Sequence, residues 1–130
     1  MRKDNLNEVQ VFRFEMDVKN FDKMKEFYEN TLQFRIIRSW NRGEKDKGLI
    51  FDTENGEIEI SKYRGKYKPV QNCKISLLVK DVWKLWRKLK DHKNIVFALR
   101  DNPWGDTSFR IRDPEGLHIS FFTYTKNKPK

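Results

Sequence analysis

The sequence repeats itself at an offset of 61 residues. Sliding the chain by that amount lays Phe14 on Ile75, Met16 on Leu77, Val18 on Val79 and Phe21 on Val82, and further along Asp52 on Asp113, Glu54 on Glu115, Ile58 on Ile119 and Ile60 on Phe121. Propensity alone does not hold one offset from a first strand to a last, so the repeat predicts a duplicated module. Phe12, Phe14, Met16 and Val18 alternate with Arg13, Glu15, Asp17 and Lys19, the period of a strand with one buried face. A helix follows over 21–32, with Phe21, Met24, Phe27 and Tyr28 on its apolar stripe. Strands are expected over 34–40, 48–52 and 57–63, the last two joined through Glu54-Asn55-Gly56, where Asn-Gly would supply the positive φ of a tight hairpin. The second half repeats βαβββ with Ile75, Leu77 and Val79, a helix over 82–91, and strands over 95–99, 107–112 and 117–124.

The expected organisation is an N-terminal tail (1–8), a first module (9–63), a linker (64–72) holding Gly65 and Pro69, a second module (73–125) and a disordered basic tail (126–130). With 130 residues, 37% hydrophobic and 14% aromatic, the chain has enough apolar bulk for a core. No apolar run approaches the roughly 20 residues that cross a bilayer, and no signal peptide is evident, so a cytoplasmic protein without membrane contact is expected. A single cysteine, Cys73, permits no internal disulfide and reads as a small structural hydrophobe. His92, ending the second helix, reads as a solvated residue favoured by the helix dipole. The net charge is +9, and without the tail cations Arg2, Lys3, Lys126, Lys128 and Lys130 and the tail acids Asp4 and Glu8 the body keeps 23 cations against 17 acids, or +6. Between Glu59 and Asp81 there is no acid, while Lys62, Arg64, Lys66, Lys68, Lys74 and Lys80 stand there; this reads first as a solvated basic loop.

A βαβββ unit covers one face of its sheet with its own helix and leaves the other uncovered. Two such sheets placed together would enclose a cleft, fed by strand residues out of phase with the helix-packing set. By that phase the cleft receives Arg13, Glu15, Asp17, Glu57, Glu59 and Ser61 from the first half. From the second it receives Lys74, Ser76, Leu78, His118, Ser120 and Phe122.

The segment from Phe21 to Phe34, with Phe27-Tyr28 and then Leu32-Gln33-Phe34 where Leu-Gly-Phe is usual, resembles the vicinal oxygen chelate superfamily: glyoxalases, bleomycin resistance proteins and extradiol dioxygenases. Asn102-Pro103-Trp104-Gly105 and Asp113-Pro114-Glu115-Gly116 are similar to that family's Pro-Trp-Gly and Asp-Pro-x-Gly patterns. The resemblance covers about 9–124 and implies an α+β fold of two tandem βαβββ modules forming curved mixed sheets around a cleft, commonly in a homodimer. It also implies metal ligands at four places, which fall here on Arg13, Glu59, Lys74 and Ser120. Arg has no lone pair to give, and Lys must first lose a proton beside a competing cation, so the scaffold is expected without the usual metal, and no cofactor is expected.

The leading expectation is a metal-independent small-molecule binding protein that sequesters its ligand. Trp40 or Trp104 would stack an anionic or planar molecule, and Arg13 and Lys74 would hold its charge. A second class is an enzyme of the same superfamily, a lyase, isomerase, epimerase or dioxygenase with Glu59 as catalytic base, with or without a divalent metal; a displaced site would use Glu59 and His118, with Glu15 and Glu57 beside them. Against this, Glu59 paired with Arg13 or Lys74 is simply an ion pair. A third class, nucleic-acid binding, rests on Tyr63 and Tyr67 among the basic linker residues and is the weakest of the three.

Overall fold

The fold is described from a computed structural model covering residues 8–63 and 65–125; the expected tails, apart from Glu8, lie outside the described residues. The chain divides into two compact units, within Met1–Tyr67 and Lys68–Lys130, so the division falls inside the expected linker.

In the first unit, β1 (Arg13–Val18) leads into α1 (Phe21–Glu26), β2 (Arg35–Asn41), β3 (Lys47–Asp52) and β4 (Glu57–Lys62). The sheet order is β1-β4-β3-β2, with β1 and β4 parallel and the rest antiparallel. Asn20 caps α1 by accepting the Lys23 N–H on Oδ1 at 3.1 Å. The helix then widens into a π-helical turn, Phe27–Thr31, closed by the Leu32 N–H on the Phe27 carbonyl at 2.9 Å. The chain leaves it through Gln33 in the left-handed region, φ 61°, at the position where the family pattern has glycine. Met16, Val18, Met24, Tyr28, Phe51, Ile58 and Ile60 are buried between helix and sheet.

The second unit repeats this with β5 (Lys74–Leu78), α2 (Val82–Leu89), β6 (Ile95–Asn102), β7 (Asp106–Arg112) and β8 (His118–Tyr124), in the order β5-β8-β7-β6. Asp81 caps α2 through the Lys84 N–H at 3.0 Å, the repeat counterpart of Asn20. Val82, Phe109, Ile111, Leu117 and Ile119 form the core, and Trp86 packs on Phe109 at 5.2 Å between ring centroids. The Asp113 side chain is fully buried because its Oδ1 closes the last turn, accepting the Glu115 and Leu117 N–H groups at 2.8 and 3.0 Å. No helix among the described residues is long and apolar enough to cross a membrane.

Four expectations need correction. The β3–β4 connection is a four-residue loop in which Glu54, not Asn55 or Gly56, takes the positive φ, 75°. Asp52 Oδ1 holds the Glu54 N–H at 2.7 Å, and Gly56 serves close approach, since a Cβ there would stand 3.0 Å from the Phe12 carbonyl oxygen. Cys73 is exposed, so it does no packing. His92 is half-buried rather than solvated: its Nδ1 accepts the Asn94 N–H at 3.0 Å, and burial followed by the charge of Lys93 pushes its pKa down.

The offset of 61, the fourth, does not hold through the third strand. β1 and β4 pair Glu15 with Glu59, and β5 and β8 pair Ser76 with Ser120, as the repeat requires. Yet Ile50 stands opposite Glu59, whereas Arg110, not Ile111, stands opposite Ser120. The β7–β8 loop has one residue more than the β3–β4 loop, so Ser108, Arg110 and Arg112, not Phe109, Ile111 and Asp113, correspond to Gly48, Ile50 and Asp52.

Candidate functional site

Directly paired residues share a face of a sheet, so the pairings fix what lies on each helix-free face. In the first sheet one row runs Arg13, Glu57, Asp52, Arg35; the next runs Glu15, Glu59, Ile50, Arg38; the third runs Asp17, Ser61, Gly48, Trp40. The outer row is an ion-pair ladder. Arg13 reaches Glu57 Oε1 from both Nε and Nη2 at 2.8 Å, and its Nη1 lies 3.6 Å from Glu59 Oε1. Arg35 Nη2 meets Asp52 Oδ2 at 2.7 Å. The Glu57 hydrogen bond raises the already high pKa of Arg13. Glu59 also accepts from Ser61 Oγ at 3.3 Å. The face thus carries Glu15, Asp17, Asp52, Glu57 and Glu59 against three arginines, an acidic balance within a basic protein.

Trp40 lies flat across Gly48. A Cβ on that glycine would fall 2.1 Å from the Trp40 ring, so the platform exists because β3 has no side chain there.

The second sheet has the same geometry and the opposite charge. Its rows are Lys74, His118, Arg112; then Ser76, Ser120, Arg110, Phe97; then Leu78, Phe122, Ser108, Arg100; with Tyr124, Asp106 and Asn102 beyond. Arg110 Nε donates to Ser120 Oγ at 2.9 Å. The guanidinium carbons of Arg100 and Arg110 lie 4.6 and 4.9 Å from the Phe97 ring centroid. The carboxylate of Asp106 accepts from Asn102 Nδ2 at 2.7 Å and from Trp104 Nε1 at 3.0 Å, which fixes the otherwise exposed indole. No carboxylate among the described residues forms an ion pair with Lys74, Arg100, Arg110 or Arg112.

The residues expected at the site therefore fall into two groups. Arg13, Glu15, Glu59 and Trp40 share the helix-free face of the first sheet, and Lys74, Ser76, His118 and Ser120 that of the second, with Trp104 tied to it through Asp106. Glu59 and His118 belong to different units. Arg13 is engaged by carboxylates on its own face, which departs from its expected role as a receptor for an anion. Sequence reasoning missed Phe97, Arg100, Arg110 and Arg112; the alternation of Arg110 and Arg112 with buried Phe109 and Ile111 was the signal that finds two of them.

The four places where the resemblance implies metal ligands hold a guanidinium, a carboxylate 3.6 Å from it, an ammonium and a hydroxyl already accepting from Arg110. That donor set does not suit a divalent cation, and among the described residues no group of three or more His, Cys, Asp or Glu side chains converges as a metal site.

The linker tyrosines are turned toward each other. Tyr63 and Tyr67 meet edge to face at 5.8 Å, and the Tyr63 hydroxyl donates to the Lys66 carbonyl.

Solved structures share this architecture at low identity. A lactoylglutathione lyase from Agrobacterium tumefaciens is 14% identical, with 88% of this chain and 92% of that one covered and a TM-score of 0.66. TioX from Micromonospora sp. ML1 is 21% identical (89% and 99% covered, TM-score 0.73). TnmS3, an antibiotic binding protein from Streptomyces sp. CB03234, is 19% identical (92% and 99% covered, TM-score 0.72). No curated protein sequence matches the chain. At these identities the structures speak for the fold alone. A family model, by contrast, matches the sequence itself over residues 10–121, across both βαβββ modules, and the chain belongs to the Glyoxalase/Bleomycin resistance protein/Dioxygenase superfamily.

Proposed function

We propose that this chain is a metal-independent small-molecule binding protein that sequesters its ligand on the helix-free faces of its sheets. The observation that carries the reading is the engagement of Arg13 with Glu57 and Glu59. A guanidinium bonded to Glu57 thus stands where the resemblance implies a metal, 3.6 Å from Glu59, the carboxylate that an enzyme would need as a base. Trp40 on Gly48, and Trp104 held by Asp106, supply rigid flat surfaces for a ligand. That TnmS3 is an antibiotic binding protein supports the same reading by likeness of fold. A homodimer in the cytoplasm goes with it, and sedimentation of the purified chain tests the assembly.

The test is a thermal-shift screen of small organic compounds on chelator-treated protein, followed by recovery of each hit. A ligand at a hundredfold excess over its Kd stabilises the folded chain by about 2.7 kcal/mol, a shift well within reach of the method. The expected result is saturable stabilisation without metal and recovery of the compound unchanged. Conversion of the compound by the protein would contradict sequestration.

A further inference from the structure

We propose that the helix-free face of the second sheet is a site for a flat organic anion, with Arg110 and Arg100, seated on Phe97, holding the charge and Phe122 receiving the ring. The inference rests on the small-molecule reading above and adds to it the ligand's chemical class and its place.

Three observations converge on this face. Its cations have no carboxylate partner: Arg100, Arg110, Arg112 and Lys74 form no ion pair with the described residues, whereas two of the three arginines on the first sheet's face, Arg13 and Arg35, are matched by Glu57 and Asp52. Unpaired guanidinium groups side by side are kept apart by repulsion unless an anion bridges them, and the planar guanidinium suits a carboxylate, sulfonate or phosphate.

Arg110 is also held in place. Its Nε is spent on Ser120 Oγ at 2.9 Å and its plane lies against Phe97 at 4.9 Å, which leaves the terminal amino groups to meet a ligand. Arg100 lies on the same ring at 4.6 Å.

Finally, the apolar surface beside these charges is accessible. Phe97 is 38% exposed, Leu78 52% and Trp104 65%, and Phe122 is half-buried next to Leu78. The Arg110 and Arg100 rows are neighbours about 7 Å apart along the strands. A ring laid over Phe122 can therefore direct one acidic substituent to either guanidinium. The single carboxylate among the described residues of this face, Asp106, is already bonded to Asn102 and Trp104.

The test titrates the full chain by calorimetry with 2-naphthoate, its uncharged amide 2-naphthamide, and inorganic phosphate. We expect naphthoate to bind, with the amide and phosphate each at least about tenfold weaker, the scale of one charge-assisted hydrogen bond. Arg110→Gln and Arg100→Gln should each weaken naphthoate about tenfold, while Arg87→Gln, at an exposed position of α2, shifts it less than about twofold. Arg110→Lys keeps the charge but loses the bond to Ser120, and its intermediate affinity together with an unchanged melting profile guards against misfolding. An amide that binds as tightly as the acid, or arginine variants that bind naphthoate as the parent does, would overturn the anion assignment while leaving the sequestration reading standing. Failure of all three probes would overturn this proposal alone, since the compound screen judges sequestration separately.

Discussion

The guanidinium of Arg13 is bonded twice to one oxygen of Glu57, from Nε and from Nη2 at 2.8 Å each, and lies 3.6 Å from Glu59. Together with Arg35 and Asp52 it makes the outer row of the first sheet an internally neutral ladder. The Arg13 side chain is 40% exposed, so solvent screens the pair and its worth is small. Arg13→Gln is expected to lower stability only slightly at low salt, with the difference shrinking as salt rises. Paired denaturant melts at two ionic strengths check this; a salt-independent loss would mean that the arginine acts through packing instead.

Trp40 depends on Gly48. Gly48→Ala places a methyl group inside the indole and must displace the ring. The expected result is a red-shifted, more quenchable fluorescence contribution from Trp40, isolated by comparison with Trp40→Phe, and destabilisation of about 1–3 kcal/mol, as for other overpacked sites. Unchanged fluorescence would show that the ring is not seated on the glycine.

Gln33 holds a left-handed conformation at φ 61° on leaving the π-helical turn. An L-residue there costs about 1–2 kcal/mol, of which glycine returns part through its own unfolded-state entropy. Gln33→Gly should therefore raise stability by up to about 1 kcal/mol in chemical denaturation, and a loss would show that the Gln33 side chain contributes an unrecognised contact.

His92 gives the fold a pH dependence of known sign. Burial, and then Lys93, lower its pKa, and its neutral Nδ1 accepts the Asn94 N–H. Below the unfolded value of 6.5 the unfolded chain takes up a proton that the folded chain resists, so this contribution is complete above pH 6.5 and is lost as pH falls through the folded value. Replacing His92 with Asn should flatten stability against pH in that interval. An NMR titration placing the His92 pKa above 6.5 would contradict the account.

The two-module fold was legible in the sequence because the alternation of Phe14, Met16 and Val18 and its echo at Ile75 and Leu77 follow directly from which face is buried. The pairing of Arg13 with a glutamate was legible too, since strand phase places Arg13, Glu57 and Glu59 on one face. What the repeat concealed was the third strand of the second module. Its longer loop moves the phase by one residue, so Arg110 and Arg112 replace Ile111 and Asp113 on the helix-free face. Phe97 and Arg100 were hidden for another reason: β6 carries irregular register at two places, between Ile95 and Phe97 and between Phe97 and Arg100, and no simple alternation survives that. The charge of the whole chain likewise misled. A basic protein suggests basic faces throughout, whereas the first sheet carries five carboxylates against three arginines on its helix-free side, and the unpaired cations gather on the second.

The central claim is that this member of the superfamily binds its ligand without a metal, and the most direct measurement is metal dependence itself. Protein stripped with chelator, analysed for metal content, is compared with protein supplied with zinc, manganese or nickel, each melted alone and with a compound that the screen identifies. The account predicts that added ions leave the melting temperature within error, that no ion is retained stoichiometrically after dialysis, and that the compound stabilises both preparations equally. A tightly retained ion that stabilises the chain and is required for the compound to bind would contradict it.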